Sequence, residues 1–147
     1  MDDVIERFTD AGVRYLLIGG QALRLAGMPR FSMDWDFAIP GKDEVNLARI
    51  NEALGDAIDV PLVPLGSGGE NFVQTYQTQW GVIQFHLGVP GLPDFDEAEK
   101  KAVTCLTETG VFVRCACPED LMATKQAAAR PQDQADIQFL TEKIRKR

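Results

Sequence analysis

Two glycines and two aspartates offer the plainest chemistry in this chain: Gly19-Gly20, then thirteen residues, then Asp34-x-Asp36. A strand that runs into Gly-Gly and then a helix leaves backbone N–H groups free at the helix start, and these suit a phosphate. Glycine also lets a ligand approach the backbone closely. Residues two apart on a strand project to one face, about 7 Å apart along the chain. Asp34 and Asp36 are therefore placed to hold a hard cation through oxygen, as Mg²⁺ prefers. Trp35 and Phe37 then point the other way, into the core. A lone Gly-Gly usually marks a turn, and a lone Asp-x-Asp usually marks a solvated strand face. Together, after a strand and a helix of suitable length, they point to a phosphate and metal site. The acidic run Asp94-Phe95-Asp96-Glu97 suits a helix N-terminus better than a metal site.

The elements that must position these residues are legible from periodicity. Asp3 to Asp10 reads as a short amphipathic helix with Val4, Ile5 and Phe8 on one face, stopped by Gly12. Val13 to Ile18 reads as a strand whose apolar end implies a central, buried place. Gly19-Gly20 breaks it, and Gln21 to Ala26 has good helix formers before Gly27. Met28 to Met33 is a loop, and Asp34 to Ile39 alternates as a strand closed by Pro40-Gly41. Lys42 to Asp56 is expected as a helix with Val45, Leu47, Ile50 and Leu54 as its apolar positions. A Pro/Gly-rich loop over 61–69 leads to two hairpins. The first joins Asn71–Gln79 to Val82–Leu87, and the second joins Val103–Thr107 to Val111–Cys115. Pro118 to Ala129 and Gln132 to Lys146 are closing helices, the first with Pro in its first turn and the second with basic residues at its end. Helices at both ends and strands between favour an α+β fold, a mixed sheet with helices mainly on one face, built on a strand–Gly-Gly–helix–strand core.

Composition limits what such a site acts on. The chain has 147 residues, which fits one domain with one core over 1–147. Its formal net charge is −7, so no diffuse basic field attracts nucleic acid, and constitutive duplex DNA binding is not expected. The acidic start, Met1-Asp2-Asp3-Val4, is unlike a signal peptide, and no apolar run reaches the roughly 20 residues of a membrane span. A soluble, cytoplasmic protein is expected. Cys105, Cys115 and Cys117 are odd in number and lack zinc-knuckle spacing, so they read as reduced cysteines in or beside a strand.

Ile18-Gly19-Gly20-Gln21-Ala22-Leu23, followed by Arg30-x-Ser32-x-Asp34-x-Asp36-Phe37, resembles the signature of the nucleotidyltransferase superfamily. It is most similar to the small bacterial branch of AbiEii-type toxins and AbiEii-like domains. The resemblance continues in Pro118-Glu119-Asp120-Leu121 and in Lys125, Arg130, Asp133 and Asp136. It implies transfer of a nucleoside monophosphate from a nucleoside triphosphate such as ATP, with Mg²⁺, to an acceptor hydroxyl on RNA or protein, releasing pyrophosphate. Two aspartates, here Asp34 and Asp36, would hold two metals that clamp the triphosphate and activate the attacking oxygen. The Gly-Gly turn would support the phosphates. The resemblance also implies the toxin half of a toxin–antitoxin pair, with a cognate antitoxin as a partner.

One departure from the family pattern falls on the reaction itself. The family carries a third carboxylate on a later strand, and here that strand is Val82 to His86, with Gln84 at the expected position and His86 next on the same face. Glutamine offers a carbonyl oxygen but no charge and no base. His86 is open to two readings, a base or ligand and a hydrogen-bonded strand residue. The alternative to an active enzyme is thus a degenerate domain that binds nucleotide or a partner without transfer. Arg30 and Ser32 either contact phosphate or are solvated loop residues. Lys125 and Arg130 are expected to put at least one cation on the triphosphate, or else to lie on a solvated helix face. Asp133 and Asp136 are expected to cap the last helix or to pair with Lys125 or Arg130.

Overall fold

The computed structural model describes residues 1–147. In chain order it runs through helix α1 (Asp2–Ala11), strand β1 (Leu16–Ile18), α2 (Gly19–Leu25), β2 (Trp35–Ala38) and α3 (Glu44–Leu54). The hairpin β3 (Val73–Thr78) and β4 (Gly81–His86) follows, then α4 (Phe95–Lys100) and the hairpin β5 (Val103–Leu106) and β6 (Phe112–Cys115). Helix α5 (Pro118–Ala128), a 3-10 turn (Pro131–Asp133) and α6 (Gln134–Arg145) close the chain. The strands form one mixed sheet in the order β3-β4-β2-β1-β6-β5. Pairings β2–β4 and β1–β6 are parallel, and the rest are antiparallel. This is the α+β fold with a mixed sheet that the element order implied. All three cysteines are free, Cys105 on β5, Cys115 on β6 and Cys117 just before α5. No helix is long and apolar enough to cross a membrane.

The two faces of the sheet divide the labour. Phe37 and Phe85 stack at 6.0 Å, and both meet Phe8 of α1, with centroids 5.6 and 6.2 Å away. Trp35 stacks on Phe37, and α3 packs beside α1. The period of two then sends Asp36, Gln84 and His86 to the opposite face. That alternation fixes the register, because a slip of one residue would bury the aspartate among four aromatic rings.

Two local readings are corrected by one residue. β1 starts at Leu16 rather than Val13, because the backbone of Arg14 is engaged elsewhere. Its N–H donates to Asn46 Oδ1 at 2.7 Å, and its carbonyl accepts from Asn46 Nδ2 at 3.0 Å. A side-chain amide from α3 thus replaces the neighbouring strand. The same pair puts Asn46 on the buried face of α3, with Leu47, Ile50 and Leu54, and leaves Val45 exposed.

Candidate active site

The Gly-Gly turn is shaped by what lies against it. Gly19 has φ +71°, in the left-handed region, and opens α2 instead of merely ending β1. A Cβ on Gly19 would lie 2.7 Å from Asp36 Oδ2, and one on Gly20 would lie 2.5 Å from Ser32 Oγ and 3.2 Å from Arg30 Cζ. The close approach is therefore made by the protein's own Asp36, Ser32 and Arg30. Gly19→Ala is expected to destabilise the fold by roughly 1–3 kcal/mol, from the left-handed backbone and the displaced carboxylate. Urea unfolding checks this, and a loss within about 0.5 kcal/mol would show that Asp36 moves aside freely.

β2 and β4 pair in parallel with Asp36 beside Gln84 and Ala38 beside His86. This register brings His86 Nε2 to 2.8 Å from Asp36 Oδ1, with the two side chains only 19% and 17% exposed. A carboxylate only accepts, so the Nε2–H donates and a neutral imidazole keeps its lone pair on Nδ1. Asp36 Oδ2 faces the Gly19 turn. Gln84 Nε2 lies 3.4 Å from Thr75 Oγ1 on β3 and donates to that neighbour. Asp34 sits just before β2, half-buried.

The cations are held from behind. Asp136 Oδ2 accepts from Arg30 Nη1 at 2.7 Å and lies 3.0 Å from Lys125 Nζ. Asp133 accepts from Arg130 through Nε at 3.0 Å and Nη2 at 3.1 Å, and from Lys125 at 3.4 Å. Both aspartate side chains are buried, 2% and 6% exposed. Arg130 holds the Asp133 carboxyl below its ordinary value, burial opposes this, and Lys125 adds to the lowering. Asp133 and Asp136 thus pair with Lys125 and Arg130, one of the two roles expected of them. The link from Asp136 to Arg30 is additional, and only the folded chain brings those residues together. Gln21 is a further support residue, buried, with its Nε2 donating to Ser32 O at 2.8 Å to pin the loop before Asp34.

These groups line one cleft of about 800 Å³. Its walls include Gly19, Gly20, Arg30, Ser32, Asp34, Asp36, Gln84, His86, Lys125 and Arg130, so every site residue inferred from the sequence lies in it. Phe31, Met33, Val89 and Pro90 also line it and carry no spacing signal in the sequence. A second cavity of about 600 Å³ shares His86 and Val89 with the first. Asp34 and Asp36 are the only carboxylates on the cleft wall, and no group of three His, Cys, Asp or Glu side chains is gathered for a metal. Two hard oxygen donors fit Mg²⁺ arriving with a nucleotide, since that ion is commonly held by one or two carboxylates plus substrate phosphates.

The fold recurs in solved structures. A candidate nucleotidyltransferase from Thermotoga maritima is similar with a TM-score of 0.63 at 14% identity, covering 98% of this chain and 89% of that one. The antibiotic-resistance factor ANT(2'')-Ia is similar with a TM-score of 0.59 at 17% identity, over 97% of this chain and 80% of that one. JHP933 from Helicobacter pylori gives 0.52 at 20% identity, over 95% of this chain and 62% of that one. Comparison with curated proteins gives no match. The model of the family described as nucleotidyl transferase AbiEii toxin, type IV toxin–antitoxin system, matches residues 6–143. With that match spanning nearly the whole sequence, the chain belongs to the AbiEii nucleotidyltransferase toxin family.

Proposed function

We propose that this chain transfers a nucleoside monophosphate from a nucleoside triphosphate, with Mg²⁺, to an acceptor hydroxyl on RNA or protein, as the toxin of a toxin–antitoxin pair. The carrying observation is the cleft itself, where two carboxylates beside a Gly-Gly turn face Arg30, Lys125 and Arg130. Asp34 and the Oδ2 of Asp36 would hold the Mg²⁺, which when bound would offset phosphate charge and polarise phosphoryl oxygens. Arg30, Lys125 and Arg130 bind the triphosphate electrostatically. The acceptor oxygen attacks the α-phosphorus, forming an O–P bond as the bond to the bridging oxygen breaks, and pyrophosphate leaves. His86 Nδ1 takes the acceptor proton while Asp36 orients the ring through Nε2. Residues 1–147 act as one domain in this reading, supported by the single core cluster that joins α1, the sheet and α6. Nucleoside triphosphates are cytoplasmic metabolites, so the reaction belongs there, with a cognate antitoxin as a partner.

A second reading, a domain that binds nucleotide without transfer, is favoured by Gln84 at the third-ligand position, where it donates to Thr75. One experiment separates the two. Each labelled triphosphate is incubated with the protein, Mg²⁺ and a cell extract; label moving to RNA or protein supports transfer, and its absence at saturating nucleotide supports binding alone. By calorimetry and urea unfolding, Gln84→Asp and Gln84→Glu are expected to tighten Mg²⁺ binding and to lower stability without metal, because each adds a negative charge beside Asp36. Wild-type turnover near 1 s⁻¹, an ordinary enzyme rate, would show that Gln84 is no defect, and His86→Ala would then be the decisive variant.

A further inference from the structure

The loop from Arg30 to Asp34 alternates in the direction of its side chains. The Arg30 guanidinium and the Ser32 hydroxyl lie against Gly20. Phe31 and Met33, between and beyond them, are 81% and 72% exposed, yet both border the cleft. Leaving a phenyl ring and a thioether in water forgoes burial that every fully buried phenylalanine of this chain obtains. Their carrier is not loose: Gln21 holds the Ser32 carbonyl, and Asp136 holds Arg30. The remaining large exposed apolar side chains, among them Val45, Val60, Phe72 and Phe112, lie outside the cleft lining. Apart from the His86 imidazole, which is bonded to Asp36, Phe31 is the one aromatic ring on the cleft wall.

We infer that Phe31, backed by Met33, is the platform on which the base of the bound nucleoside triphosphate stacks. The inference rests on the reading of the cleft as a nucleotide site. Arg30 stands one residue away, so a single pinned loop presents a phosphate contact and a π-face together. Phe31 and Met33 offer no hydrogen-bonding groups to a base edge, so selection follows stacking area: purine triphosphates bind more tightly than pyrimidine ones, and all four are accepted.

The test measures binding of ATP, GTP, CTP, UTP and inorganic tripolyphosphate to wild type, Phe31→Ala and Phe31→Trp by calorimetry with Mg²⁺ present. Phe31→Ala is expected to weaken ATP and GTP about fivefold or more and to leave tripolyphosphate unchanged. Phe31→Trp retains or improves ATP binding. An unchanged ATP affinity in Phe31→Ala, or an equal loss for ATP and tripolyphosphate, overturns the platform while the nucleotide site stands. Wild-type protein that binds neither ATP nor tripolyphosphate overturns the nucleotide reading and the platform with it.

Discussion

Asp36→Asn is expected to lower nucleotidyl transfer roughly a thousandfold or more, since metal and orienting contacts at the reacting phosphate are worth several kcal/mol. The single substitution strikes two functions. Oδ2, beside the Gly19 turn, loses the charge that a cation needs, and Oδ1 loses the charge that orients His86 Nε2 at 2.8 Å. Calorimetry isolates the first effect. Mg²⁺ should tighten triphosphate binding in the wild type and leave the Asp34→Asn, Asp36→Asn double variant unaffected. A double variant that keeps the full metal-linked gain would remove these two residues from the cation site. Stability is a separate matter. Exposed, mutually repelling carboxylates contribute little to folding, but Asp36 is largely buried and bonded to His86. Asn keeps an oxygen acceptor for the ring, so a loss of about 1 kcal/mol is expected, measurable by urea unfolding.

Asp133→Ala carries the largest expected cost to the fold, about 3 kcal/mol. Its side chain is nearly inaccessible and serves both Lys125 and Arg130. Removing it leaves the buried Lys125 ammonium with Asp136 alone, while the more exposed Arg130 returns to water. The pH dependence follows from the direction of the carboxyl shift. The folded-state value is depressed, chiefly by Arg130, so Asp133 stabilises the fold fully above the ordinary aspartate range, near pH 4. That contribution is lost as pH falls through the depressed value. Urea midpoints of wild type and Asp133→Ala should therefore differ widely at pH 7 and converge in acid. A constant gap down to the lowest pH would mean that Asp133 acts through packing and not through charge.

What the sequence reveals follows the length scale of the signal. Asp34-x-Asp36 is read by a period of two, and the aromatic residues between and after the aspartates point to the core for the same reason. Gly19-Gly20 is read as a turn because little else tolerates φ +71° there. The start of β1 was illegible because Arg14 is paired by the Asn46 amide, and an asparagine within a helix pattern gives no sign of acting as a strand. The supports of the cation wall divide in the same way. Asp133 and Arg130 are three apart and visible as neighbours on one turn, whereas Asp136 and Arg30 meet only because α6 folds back over the loop before β2. Phe31 and Met33 carry no signal beyond that of a loop in the sequence, since exposure at a cleft mouth is a property of the folded surface alone.

The Arg30–Asp136 pair joins positions 106 residues apart. Closing so long a loop carries an entropic cost that is met only once the distant partner exists. During synthesis the glycine turn, both aspartates and Arg30 leave the ribosome long before α6 does. Until then Arg30 lacks its buried counter-ion, Lys125 lacks one of its two, and the cation wall has no fixed shape. The cleft therefore takes its shape only after α6 has been made, and a chain cut short before α6 is expected to lack the Arg30–Asp136 pair and the order it gives the loop before β2.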